Sequence, residues 1–146
     1  QLMKAKEERG LPILNLDAEQ LNSDELVAEA SRLLSAGRSV AISSTFTPYV
    51  ASLKQSISTI LAETAARILI NQKVAGLFLS GGDIALAVCR TLAVAAIEVN
   101  GEVEAGIPSG RLVGGSGEGM RVVTKAGGFG TEQALVKALS YLEGRG

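Results

Sequence analysis

Two hydrophobic rhythms alternate along the chain. Leu26, Val27, Ala30, Leu33 and Leu34 recur at the three-to-four spacing of one helix face. Asn22 and Ser23 precede them as N-cap candidates, Glu25 sits as in a capping box, and Gly37 supplies the stop. Val50, Leu53, Ile57, Ile60, Leu61, Ala65, Ile68 and Leu69 mark a longer helix, with Lys54, Gln55, Ser58 and Glu63 on its wet face and Lys73 at its end. Residues 84–92 predict a third helix. Ala134, Leu135, Ala138, Leu139 and Leu142 predict a last one, capped by Gly130 or Thr131. Between the helices lie short apolar runs of strand length: 11–16, where Pro12 suits an edge, then 39–44, 74–79, 94–99 and 120–124. Residues 45–48 read as a loop, Asn100-Gly101 as a turn, and 106–119 as a glycine-rich stretch. Strands apolar on both faces belong to parallel sheets covered by helices. The pattern therefore predicts one α/β domain over 1–146, three-layered, with a largely parallel sheet flanked by helices.

Composition narrows the chemistry. Apolar residues at 47% argue against disorder, and aromatics at 3% with no Trp leave Ala, Val, Leu and Ile to build the core. A net charge of −1 suggests no basic face, so nucleic acid is a poor candidate partner. With no His, histidine catalysis and histidine-ligated metal sites are excluded. The single Cys89 rules out an internal disulfide, and its apolar helical setting favours a buried structural thiol. That cysteine usage fits a cytoplasmic protein. No apolar run approaches the roughly 20 residues that span a bilayer, and no secretory signal pattern opens the chain. Gln1-Leu2-Met3 is not a natural translation start, so we expect the sequence to begin inside a longer protein.

Two segments repeat one architecture of strand, glycine turn and helix: Leu79-Ser80-Gly81-Gly82-Asp83 and Thr124-Lys125-Ala126-Gly127-Gly128-Phe129-Gly130. Ligands of open α/β sheets bind outside the carboxyl ends of strands. A helix start adds unpaired N–H groups and the positive end of the dipole, which suit an anion. A single charge there gains only about 0.3–1 kcal/mol, so tight binding needs several converging donors. Neither turn is a Walker A motif, and neither carries a dinucleotide fingerprint. Around the turns, Ser80 either donates to phosphate or closes the turn. Asp83 either holds Mg²⁺ through water or caps a helix. Lys125 either meets phosphate as a point charge or is a solvated lysine at a strand end. Arg111 is an anion clamp or a surface residue. Glu102 and Glu104 are a carboxylate pair or the wet face of a strand.

Ser80-Gly81-Gly82-Asp83, Glu104-Ala105-Gly106-Ile107-Pro108 and Lys125-Ala126-Gly127-Gly128-Phe129-Gly130, in that order, resemble the C-terminal nucleotide-binding domain of the four-carbon acid sugar kinase family. That family typically reads Ser-Gly-Gly-Glu-Thr, then Gly-Val-Pro, then Lys-Ser-Gly-Asn-Phe-Gly. The resemblance implies that ATP, with Mg²⁺, lies against Gly81, Gly82, Asp83 and Ile84 and against Gly127. It implies a phosphotransferase acting on threonate, erythronate or 3-oxo-tetronate. The sugar acid and catalytic base would then be held by an N-terminal domain outside this chain, and the chain alone would be inactive. A homodimer is carried as an expectation. Asp83 stands where the family has Glu, Ile84 where it has Thr, and Gly128 where it has Asn. A non-catalytic nucleotide-binding or regulatory module is the alternative, since it would show the same motifs.

Overall fold

The structure is a computed structural model, and it describes residues 1–16, 23–44 and 54–145. The expected loop at 45–48, the Asn22 cap, the Val50 and Leu53 positions and the Lys54 and Gln55 side chains lie outside what is described.

The chain runs α1 (Leu2–Arg9), β1 (Ile13–Asn15), α2 (Ser23–Ser35), β2 (Ala41–Ser43), α3 (Lys54–Asn71), β3 (Gly76–Ser80), α4 (Gly82–Thr91), β4 (Ala96–Glu104), β5 (Ile107–Val113), β6 (Arg121–Lys125) and α5 (Ala134–Leu142). β1 and β2 form a parallel pair, and the other four strands form a sheet in the order β3-β6-β5-β4. The α/β class and the flanking helices are as expected. The parallel character is narrower: β3 and β6 run parallel, whereas β4/β5 and β5/β6 are antiparallel. A connection as short as Ala105-Gly106 can only fold a strand back beside its neighbour, which forces the antiparallel arm.

Alternation along the strands sorts the core into two layers. Leu79, Leu112 and Val122 face α3 and α4, meeting Ala62 and Val88. Ile107 and Val123, with Phe78 beside them, face α5 and its Ala134, Ala138 and Leu142. Small Ala62, Ala134 and Ala138, all fully buried, let the helices approach closely where aromatics are scarce. Burying a side chain such as Leu112 or Val123 stabilises the fold by about 1.5–3 kcal/mol.

One helix is added to the sequence expectations and two of them are corrected. Helix α1 was not foreseen, because its exposed surface is almost entirely charged. Ala5 is buried, and α1 packs with Leu2 and Leu11 against Leu135 and Leu139 of α5. Lys4 pairs with Glu8 at i,i+4, and Gly10 closes the helix at φ 60° with its N–H on the Lys6 carbonyl. Asn100-Gly101 is not a turn: β4 runs through it, and a register shift between Val99 and Gly101 absorbs the irregularity. The glycine-rich stretch holds β5, where Gly110 serves close strand packing. A Cβ there would lie 2.0 Å from the Glu98 carbonyl oxygen.

Candidate functional site

β3 and β6 are neighbours, and Ser80 pairs in register with Lys125. Both glycine turns therefore leave the sheet at one carboxyl rim. The Gly81 N–H donates to the Lys125 carbonyl at 2.8 Å, tying one turn to the other. The β4–β5 hairpin reaches the same rim, because β5 is antiparallel to β6 and starts at its carboxyl end. All three sequence elements of the resemblance thus meet along one edge.

Gly81 is the N-cap of α4, with φ 101° and ψ 129°, a conformation L side chains rarely adopt. Asp83 is consequently not the N-cap. It is an exposed acid in the first turn of α4, where a carboxylate suits the helix dipole. The half-buried Ile84 side chain packs against the core cluster that includes Leu79 and Val88, and its Cδ1 lies 3.7 Å from where a Cβ on Gly81 would stand.

At Gly82, Gly127 and Gly128 the backbone is ordinary, and an added Cβ would meet nothing within 4 Å. Neither conformation nor packing among the described residues requires glycine there. Gly127 and Gly128 form the centre of a turn closed by the Phe129 N–H on the Ala126 carbonyl at 3.1 Å.

Lys125 is only 5% exposed. Its ammonium turns inward and donates to the carbonyls of Ala126 at 3.0 Å, Phe129 at 3.1 Å and Gly127. It is neither a solvated lysine nor a charge on the open rim. Burial pushes its pKa below the ordinary lysine value.

Around the loop, Phe129 is half exposed, and its ring lies where a Cβ on Gly106 would be, 2.7 Å away. The Gln1 amide donates to the Phe129 carbonyl at 2.9 Å. Glu104 accepts from the Thr131 N–H at 2.6 Å and hydroxyl at 2.8 Å, and from Lys137 at 3.1 Å. The Thr131 backbone and hydroxyl bonds, with Lys137, hold its carboxyl below the usual range. Glu102 accepts from the Gly106 N–H. These two glutamates therefore brace turns, and sequence alone gave no sign of the Thr131 contact.

Arg111 lies on β5 opposite Arg121, at the other end of β6, and donates to the Gly119 carbonyl at 2.7 Å. It is not part of the rim. Cys89 is half-buried in α4, and burial raises its thiol pKa. Two hollows, of about 390 and 230 Å³, lie beside Lys73, Met120 and Arg121 and beside Arg9, Arg38 and Glu143. Both sit toward the amino ends of the strands. Among the described residues the glycines of the rim, Gly82, Gly127 and Gly128, are exposed.

Comparison with known proteins places the chain. The family pattern of a nucleotide-binding C-terminal domain matches residues 1–135. The D-threonate kinase of Bordetella bronchiseptica is 41% identical over 90 residues, which is 62% of this chain and 22% of that protein. The D-erythronate kinase of Heliobacterium modesticaldum is 35% identical over 133 residues, 88% of this chain and 29% of that protein. A Bordetella bronchiseptica crystal structure, described as a domain of unknown function with bound citrate in a domain-swapped dimer, superposes with TM-score 0.80 at 31% identity. The match covers 98% of this chain and 36% of that one. The sequence thus spans under a third of the curated relatives it matches. It belongs to the four-carbon acid sugar kinase family, as that family's nucleotide-binding C-terminal domain.

Proposed function

We propose that this chain is the ATP-binding lobe of a kinase that transfers the γ-phosphate of ATP to a four-carbon acid sugar of the threonate or erythronate class. The observation that carries the reading is the outward space at Gly82, Gly127 and Gly128. Glycine costs about 0.5–1 kcal/mol relative to alanine in regular structure, and nothing among the described residues asks for it at these positions. Room for a phosphate against the backbone gives those glycines a reason. The first-turn N–H groups of Gly82 and Ile84 have no acceptor within α4 and lie beside that room.

The residues fit a polyphosphate carrying its own metal. Among the described residues no group of three or more His, Cys, Asp and Glu side chains could hold an ion. Mg²⁺ is usually bound through one or two carboxylates, several waters and the substrate phosphates, so Asp83 on one side is adequate. Bound there, the ion would neutralise charge on the transferred phosphoryl group. The chain's own part is to seat the phosphates with backbone amides and to keep the two turns in register through the Gly81–Lys125 bond. Among the described residues the rim offers no second wall, and we assign the acceptor sugar and the base that takes its proton to an N-terminal domain. A homodimer and a cytoplasmic location complete the proposal. The first follows the dimer described for the Bordetella protein. For the second, no described helix is long and apolar enough to cross a membrane.

Thermal unfolding of this chain with and without Mg-ATP tests the reading. At 100 times its dissociation constant the nucleotide should add about 2.7 kcal/mol of stability. No shift at millimolar Mg-ATP defeats the proposal. A coupled assay of the chain alone with D-threonate or D-erythronate should show no turnover, and rapid turnover would overturn the two-domain division.

A further inference from the structure

The rim contains a buried cation that the phosphate reading does not use directly. The Lys125 ammonium is enclosed by its own loop, bonded to the carbonyls of Ala126, Gly127 and Phe129. A trans peptide is planar, and its N–H points opposite its C=O. No peptide in the described chain is cis. Drawing those three carbonyls inward therefore turns the N–H groups of the following residues, Gly127, Gly128 and Gly130, away from the ammonium. None of these three N–H groups donates to a protein acceptor among the described residues. The fourth, on Phe129, closes the turn instead. Successive outward amides form the concavity that binds anions.

Resting on the nucleotide reading, we propose that Lys125 is a positioning residue. From behind the loop it holds the Gly127, Gly128 and Gly130 amides outward as a phosphate nest, and it does not itself touch the phosphate. Its charge also reaches an anion through the turn, without the desolvation that direct contact would add. Glycine at 127 and 128 fits this geometry, because a side chain would stand in the nest. Glycine at 130 has a separate cause: its φ is 87°, and a Cβ there would lie 2.6 Å from Ile107 Cδ1.

Lys125→Met removes the ammonium while keeping most of the buried volume. Two readouts separate positioning from contact. In the absence of nucleotide, backbone ¹⁵N order parameters of Gly127 and Gly128 should fall from the rigid range near 0.85 to below about 0.6. In titrations, Mg-ATP affinity should fall at least tenfold while adenosine, which lacks phosphates, binds as before. If the order parameters stay high while ATP affinity falls, Lys125 contacts phosphate and the proposal is wrong. If neither changes, the ammonium organises nothing and the proposal is equally wrong. If the loop loosens but the unmodified chain binds no Mg-ATP, the scaffold role stands and the nucleotide reading falls. Should Lys125→Met fail to fold, Lys125→Gln, which keeps a donor for one or two of the carbonyls, is read by the same two measurements. A partial loosening and a partial loss of affinity are then expected, and an unchanged loop counts against the proposal.

Discussion

Glycines of the hairpin arm and glycines of the rim look alike in the sequence and do opposite things. At Gly110 in β5 a Cβ would sit 2.0 Å from the Glu98 carbonyl oxygen, and at Gly115 it would sit 2.0 Å from the Leu92 carbonyl oxygen. There the absence of a side chain lets backbone lie on backbone. At Gly82, Gly127 and Gly128 a Cβ meets nothing within 4 Å among the described residues. The first group is needed by close backbone packing, and the second has no such need among the described residues. A glycine count therefore cannot locate a phosphate site, and open space at a glycine of ordinary backbone is what motivates the one proposed here.

The comparison is most sharply broken at Gly110. Gly110→Ala should destabilise the fold by about 3 kcal/mol, the upper end of ordinary overpacking, because the clash is with the neighbouring strand's backbone and not with a flexible side chain. Urea unfolding at fixed temperature measures this. Equal stability would mean that β4 yields freely, and that the close approach is not what holds glycine at that position.

Gly127→Val should do the reverse. The turn's ordinary backbone accepts a side chain, so unfolding free energy should change little. Mg-ATP affinity should fall by at least tenfold, about 1.4 kcal/mol. A calorimetric titration of the folded variant decides it, and unchanged affinity would remove phosphate from that turn. Gly81 is a poorer target despite its central place, since its φ of 101° would strain any replacement and confuse binding with folding.

Gly82→Ala gives the subtler contrast. At the first position of α4, with open space around it, alanine should stabilise the chain by about 0.4–1 kcal/mol through the unfolded state. Nucleotide affinity should drop at the same time. Opposite signs for stability and binding in one substitution are what a functional glycine predicts. A fall in both would make Gly82 a structural residue.

Much of the frame was legible because it rests on periodicity. Helices α2, α4 and α5 and strands β3 and β6 follow from apolar spacing, and the two turns follow from glycines at strand ends. What periodicity does not carry is pairing. Nothing local distinguishes β3 and β6, which run parallel, from β4 and β5, which do not; the difference lies in the length of chain between them. Helix α1 was hidden because its stability comes from the α5 surface and not from its own pattern. The direction of Lys125 was equally out of reach. A lysine at a strand end is usually solvated, and only the curl of Ala126–Phe129 around its ammonium reveals otherwise. Glu104 was legible as a strand residue but not as the acceptor for Thr131, twenty-seven positions away.

That last contact yields the smallest and most diagnostic expectation. Glu104 joins the hairpin arm to the start of the segment leading into α5, so it couples the two kinds of region contrasted above. Its carboxyl titrates below the ordinary value when folded, because the Thr131 N–H and hydroxyl bonds and Lys137 favour the charged form. A group depressed in the folded state contributes stability that is fully present above its unfolded pKa. That contribution is lost as pH falls through the folded one. Melting temperature should therefore drop on acidification below about pH 4.5, the reference value for this carboxyl. Glu104→Gln removes the charge and keeps the shape. Its melting temperature should lie below that of the unmodified chain at pH 7, and the gap should close toward pH 3. The carboxylate is near the surface and screened, so the gap should be modest and should shrink further in high salt. A gap that persists unchanged at pH 3 would assign the effect to lost packing, and the hairpin would then be held to the glycine loop by the Phe129 ring on Gly106 and not by Glu104.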